Sequence, residues 1–120
     1  SAEAQIHDEA VSLISHLPVL ISAALLNTLS TDINPSLYSL AKSIASTGFA
    51  DTSRVGGGNP ELGVSMARFN KENLMRNLLL YKNSLEVFEK YLMKEDWNQL
   101  EKILVSTKEE RKNFIVKPTN

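Results

Sequence analysis

PELGVSMARFNKENLMRNLLLYKNSLEVFEKYLMK, from Pro60 to Lys94, carries the clearest period in this chain of 120 residues. Leu74, Leu78, Tyr81, Leu85, Phe88 and Leu92 fall at steps of four, three, four, three and four. That spacing lays apolar side chains along one stripe of an α-helix rather than on one face of a strand. Beyond a short turn, Trp97, Leu100, Leu104, Thr107, Arg111 and Phe114 nearly continue the alternation, so two antiparallel helices are expected to pack along the seam as a long hairpin. If straight, the 60–94 region would reach about 50 Å at ~1.5 Å per residue, whereas a domain of this length is about 35 Å across. It must break, with Asn70 the candidate, or project. A projecting helix with an apolar seam needs a cover, which points to a homodimer with helices of both chains interlocked. The other reading is that the seam is ordinary core within one chain.

The punctuation around this stretch is explicit. Asn34-Pro35 and Asn59-Pro60 each pair an N-cap side chain with proline at the first helical position, where its missing N–H does no harm. Asp96 with Gln99 three residues on resembles a capping box, opening a helix that should end near Val116-Lys117-Pro118. Four helical regions follow, at about 4–29, 35–46, 60–94 and 97–115. Glycines cluster at Gly48 and Gly56-Gly57-Gly58, and no segment alternates apolar and polar residues as a half-buried strand would. The expected fold is all-α, one helical domain over residues 1–120.

Composition bounds the function. The chain is 42% hydrophobic and 22% charged, with 13 Lys+Arg against 14 Asp+Glu. It has the make-up of a globular domain and no positive field to neutralise phosphates, so nucleic acid is not an expected partner. It has no cysteine, which removes disulfides and thiolate chemistry and suits a reducing compartment such as the cytoplasm. The longest apolar run, Leu17 to Leu29, is interrupted by Pro18, Ser22, Asn27 and Thr28 and falls short of the ~20 residues that span a bilayer. It reads as a core helix, with no membrane as partner. Ser1-Ala2 has the look of an expression remnant, and the chain is expected to be an excised part of a longer one.

The candidate chemistry lies where helices break. Pro18 cannot donate to the carbonyl of Ile14 and disfavours helical geometry at Leu17, so a kink or a fresh helix start is expected at Ser15-His16. Ser15 would then be an N-cap, and its hydroxyl, the His16 ring and free backbone N–H groups would converge on a carboxylate or hydroxyl. A kinked histidine also has a purely structural reading. Asp51 and Arg54 sit three apart in a segment bounded by glycines; they could form a local ion pair, or Arg54 could clamp a ligand carboxylate through its two-pronged guanidinium. His7 and His16 are nine residues apart, about 900° of helical rotation and so on opposite faces, and no metal site is expected. The Gly56-Gly57-Gly58 run lacks the Lys-Ser/Thr of a phosphate loop. It reads as a connector whose backbone can approach another surface closely.

Ser15-His16-Leu17-Pro18, Gly48-Phe49-x-Asp51-Thr52-x-Arg54 and Asn59-Pro60-Glu61-Leu62, in this order and spacing over about residues 7–115, resemble the C-terminal helical domain of prephenate and arogenate dehydrogenases of tyrosine biosynthesis. The resemblance implies a two-domain enzyme whose N-terminal Rossmann domain, holding NADP (or NAD) and the catalytic histidine, is not in this chain. No Gly-x-Gly-x-x-Gly occurs here, which agrees; the resemblance implies no catalytic residue in this chain and an isolated chain that is inactive. In that family the cyclohexadienyl ring gives hydride to the nicotinamide and loses its ring carboxylate as CO₂. Carried over by position, Arg54 grips a substrate carboxylate, Ser15 and His16 line the pocket, and Asp51 orients or gates Arg54. Val19 stands where the prephenate-type pattern has a second histidine, and Gly63 where it has a tryptophan, which shifts the expectation towards arogenate with NADP. The competing class is a structural dimerisation module whose polar segments only cap helices.

Overall fold

Leu17 lies immediately ahead of a proline, yet its backbone is helical at φ −60° and ψ −45°. How the chain passes Pro18 sets much of the architecture. The structure, a computed structural model, describes residues 1–115, and every regular element among them is helical. Helix α1 (Ala2–Val11) runs through a π-helical turn (Ser12–His16) into α2 (Leu17–Thr28). Then come α3 (Pro35–Ile44), α4 (Thr47–Ser53), a 3-10 turn (Arg54–Gly57), α5 (Pro60–Phe69), α6 (Lys71–Met93) and α7 (Trp97–Lys112).

In a regular α-helix the Pro18 ring would press on the carbonyl four residues back. Here the Leu17 N–H reaches five residues back to the Ser12 carbonyl. The widened turn adds a residue and makes room for the ring, so the helix continues instead of restarting. This corrects the expected fresh start: Ser15 is exposed and caps nothing, and α2 begins without a side-chain cap. The uninterrupted helical path from Ala2 to Thr28 is, by length and composition, long and apolar enough to cross a membrane, contrary to the shorter run read from sequence. Its buried polar positions, Ser12, His16 and Ser22, are nevertheless closed by groups of this same chain, as in a core helix.

Both Asn-Pro starts behave as expected. Asn34 Oδ1 accepts from the Ser36 and Leu37 N–H groups, and Asn59 Oδ1 from those of Glu61 and Leu62. The 60–94 region breaks at Asn70, whose N–H closes α5 on the Met66 carbonyl at 3.0 Å and whose carbonyl opens α6 by accepting from Leu74 at 2.9 Å. Helix α4 falls in a stretch that sequence reads as loop. It is too short to stand alone and packs against α2.

The chain divides into two units, Ser1–Leu79 and the segment from Leu80 onward. In the first, α2 packs on the 3-10 turn and α4, and the π turn packs on α5. Leu17 and Leu74 are buried, but so are Ser12, His16, Ser22 and Asn70, so the centre of this unit is as polar as it is apolar. In the second, α6 ends in a Schellman turn: Glu95 donates to the Leu92 carbonyl and Asp96 to that of Tyr91, with Glu95 at φ 53° where glycine is usual. Asp96 then caps α7 through the Gln99 N–H at 3.2 Å, but among the described residues α6 and α7 do not pack against each other, so the antiparallel packing expected along the seam is not formed within the chain. Helix α7 ends at Lys112, and the stop signal at Val116-Lys117-Pro118 lies outside the described residues. The seam is not closed within the chain: Leu85 is 50% exposed, Leu92 55%, Trp97 56% and Leu104 50%.

Candidate functional site

Gly56 carries the contact on which the site depends. A Cβ placed there would lie 2.3 Å from the Ala23 nitrogen and 2.4 Å from the Ser22 carbonyl carbon, inside the backbone of α2. Only glycine allows that approach, and the Gly56 N–H donates to Ser22 Oγ at 2.8 Å. The glycine run expected to be a connector is thus, at Gly56, a docking point. Just upstream, Ser53 and Thr52 turn their hydroxyls back onto the Phe49 and Gly48 carbonyls at 2.7 and 2.9 Å, closing α4 and leading directly into Arg54.

Docking the 3-10 turn on α2 places Arg54 at a cleft of about 660 Å³ that Ser15, His16, Val19, Gly63 and Leu74 also line. Three of the four residues singled out from sequence, Ser15, His16 and Arg54, therefore share one concavity although His16 and Arg54 are far apart along the chain. Asp51 is exposed and does not line it. Among the described residues Arg54 makes no ion pair, with Asp51 or any other carboxylate. The guanidinium is thus available to an external anion.

Little else at the cleft can hold an anion. The early N–H groups of α5 are already used: Pro60 has none, Asn59 takes those of Glu61 and Leu62, and Gly63 donates to the Asn59 carbonyl at 3.1 Å. The free backbone donors expected at Ser15-His16 are not exposed either, because the helix is continuous there. Positive charge at the cleft comes from a side chain and not from a helix end. Among the described residues no cluster of three or more His, Asp or Glu is placed to hold a metal; His7 contacts only its neighbour Asp8, at 3.5 Å on the surface.

Sequence reasoning missed the polar joint behind His16. Asn70, itself 5% exposed, donates through Nδ2 to the Asp8 carbonyl at 2.8 Å, and its Nδ2 lies 3.5 Å from His16 Nδ1. Asn73 Nδ2 donates to Asn70 Oδ1 at 2.8 Å, and the Arg76 guanidinium donates to Asn73 Oδ1. Asn77 Nδ2 donates to the buried Ser12 hydroxyl at 3.0 Å. The signal was present as amides at 70, 73 and 77 around Leu74, on the face that the apolar period assigns to the core.

Comparison with known proteins gives the family of the chain. The family model described as "Prephenate dehydrogenase, dimerization domain" matches residues 3–106. A prephenate dehydrogenase from Bacillus subtilis (strain 168) is 27% identical over 105 residues, covering 88% of this chain and 28% of that protein. The crystal structure of Synechocystis arogenate dehydrogenase superposes with a TM-score of 0.89 at 41% identity, over 91% of this chain and 39% of that one. Prephenate dehydrogenase from A. aeolicus, solved in complex with hydroxyphenyl propionate and NAD+, gives a TM-score of 0.79 at 26% identity over 92% of this chain and 38% of that one. The chain therefore spans well under half the length of these relatives. With the matched model covering most of its residues, the chain belongs to the family of C-terminal helical dimerization domains of prephenate and arogenate dehydrogenases.

Proposed function

We propose that this chain is the dimerisation and substrate-binding domain of a nicotinamide-dependent arogenate (or prephenate) dehydrogenase of tyrosine biosynthesis, with its cleft holding the substrate's carboxylate. The observation that carries the reading is the unpaired Arg54 guanidinium at the same cleft as His16 and Ser15. A guanidinium presents parallel N–H donors matched to a carboxylate. The imidazole and hydroxyl supply further polar groups at the same cleft, and Val19, Leu74 and the Gly63 surface give an apolar wall for a six-membered ring.

In the complete enzyme the nicotinamide, NADP by preference, accepts the hydride, and the Rossmann domain that binds it lies outside this chain. The residues here orient the ring by its acidic group so that loss of hydride and departure of CO₂ leave an aromatic product. Val19 and Gly63 favour arogenate: one offers no polar atom to the ligand, and the other leaves open space where a large ring would stand. The 41% identity to an arogenate dehydrogenase lends the same direction further support. The exposed seam of the second unit, with Ile6 and Ile14 of α1 and the π turn also exposed, supports a homodimer in which a second copy covers them.

Arg54→Ala in the full-length enzyme tests the substrate reading. Losing a two-pronged charged contact, at about 1.5–3 kcal/mol for each hydrogen bond to a charged group, should lower kcat/KM at least about a hundredfold. Helical content and dimer mass should stay unchanged. Normal turnover in a folded variant would remove the substrate role, and collapse of the fold would favour a purely structural module. Assaying arogenate and prephenate, each with NAD and NADP, decides the finer specificity; a clear preference for prephenate would overturn the arogenate assignment.

A further inference from the structure

His16 has two ring nitrogens, and among the described residues only Nδ1 has a partner, the Asn70 amide. We infer that Asn70 is a positioning residue that fixes the tautomer of His16, so that the neutral ring keeps its proton on Nε2 and presents it to the cleft as a donor.

The direction of the hydrogen bonds follows from the groups at the two ends of the relay. Arg76 can only donate, so the oxygen of the Asn73 amide must face it. The other end of that amide, Nδ2, then donates to Asn70 Oδ1 at 2.8 Å. With its oxygen occupied as acceptor, Asn70 has only Nδ2 to turn towards its remaining neighbours. One of these is the Asp8 carbonyl at 2.8 Å, which can only accept. Both ends of the relay thus demand the same amide orientation. The second Nδ2 proton is left for His16 Nδ1 at 3.5 Å, and a nitrogen that accepts a hydrogen bond carries no proton of its own. In neutral imidazole the proton then belongs to Nε2. His16 and Arg54 line the same cleft, so the cleft gains an uncharged donor in addition to its cation, suited to a ligand oxygen that only accepts.

The tautomer rests on this chain's own hydrogen bonds, while its consequence for a ligand rests on the substrate-site reading above. The chain holds only two histidines, His7 and His16, so a long-range nitrogen–proton correlation spectrum of the nitrogen-15-labelled chain resolves both, with His7→Gln giving the assignment. At about pH 8.5, where an ordinary imidazole is neutral, His16 should show an unprotonated Nδ1 and a protonated Nε2. Asn70→Asp places an acceptor-only carboxylate against Nδ1 and should move the proton to Nδ1. In the full-length enzyme it should raise KM several-fold more than it lowers kcat. Asn70→Gln, which keeps the amide, should retain the Nε2–H form. A wild-type His16 protonated on Nδ1, or a folded Asn70→Asp chain with the tautomer unmoved, would overturn the proposal. If Asn70→Asp does not fold, the wild-type spectrum alone decides. A tautomer that switches while KM stays fixed supports the positioning role and counts against the substrate reading.

Discussion

The two units of this chain differ in what they bury. In Ser1–Leu79 the buried positions include Ser12, His16, Ser22 and Asn70, and each has a partner within the unit. From Leu80 onward the apolar seam at Leu85, Leu92, Trp97 and Leu104 is half exposed or more. The first unit satisfies its buried polar groups through directional contacts that leave a cleft, while Ile6, Ile14, Leu40, Ile44 and Phe69 stay exposed on it. The second offers undirected apolar area that only another surface can cover. The cleft thus belongs to the first unit, whereas apolar area open to another surface is present in both.

The largest effect should come from breaking the second half of that contrast. Leu92→Glu puts a charge on the seam without touching the first unit. Burying a leucine contributes about 1.5–3 kcal/mol, and a twofold dimer counts the site twice, so the dissociation constant should rise at least about a hundredfold. Sedimentation equilibrium reads this directly, while the His16 spectrum should not move. A variant that stays dimeric would show that the seam is not what joins two copies and would turn attention to the exposed apolar residues of the first unit.

Next in size is Gly56→Ala, which strikes the first unit. The added methyl meets backbone atoms of Ser22 and Ala23 rather than a movable side chain, so α2 and the 3-10 turn must separate. Overpacking of this kind costs about 1–3 kcal/mol, with a backbone obstacle towards the upper end. The midpoint of urea unfolding should fall, and Arg54 should lose its place beside His16, which full-length kinetics would register as a raised KM. Unchanged stability would mean that the docking contact does not hold the cleft together.

The same two sites explain what could be read from sequence. Asn34, Asn59 and Asp96 act on N–H groups two or three residues away, so their caps were legible, whereas length required only that the 60–94 region break or project, with Asn70 the candidate for a break. Pro18 misled because the ordinary rule for proline in a helix assumes a regular α-turn before it, and a π turn relieves the clash without leaving a mark in the sequence. Helix α4 was missed because it holds through contact with α2 and not through propensity. Ser15, His16 and Arg54 were found as separate breaks and a loop cation, but their meeting depends on Gly56 lying against Ser22, a distance no local pattern encodes. The Asn70 relay escaped for the same reason: amides on a core-facing stripe have no meaning until the carbonyl and imidazole opposite them are known.

A smaller effect is expected at the hinge of the second unit. Glu95 occupies the left-handed position of the Schellman turn at φ 53°, which costs a residue with a side chain about 1 kcal/mol relative to glycine. Glu95→Gly should raise thermal stability by about that amount, with dimer mass unchanged. A loss of stability would mean that the carboxylate has a partner in the dimer that one chain does not reveal.

The smallest expected change sharpens the boundary between stability and function. Gly63 sits inside α5 without a positive φ, and a Cβ there would meet nothing within 4 Å. Glycine within a helix is about 1 kcal/mol less favourable than alanine, so Gly63→Ala should stabilise the domain by roughly 0.5–1 kcal/mol in chemical denaturation. Yet Gly63 lines the cleft, and the new methyl would stand in space the substrate reading leaves for the ligand. If that reading holds, the full-length variant should be more stable and bind substrate more weakly, a pairing that a purely structural helix cannot produce. Stability gained with KM unchanged would place the ligand elsewhere along the cleft, towards Arg54 and away from the first turn of α5.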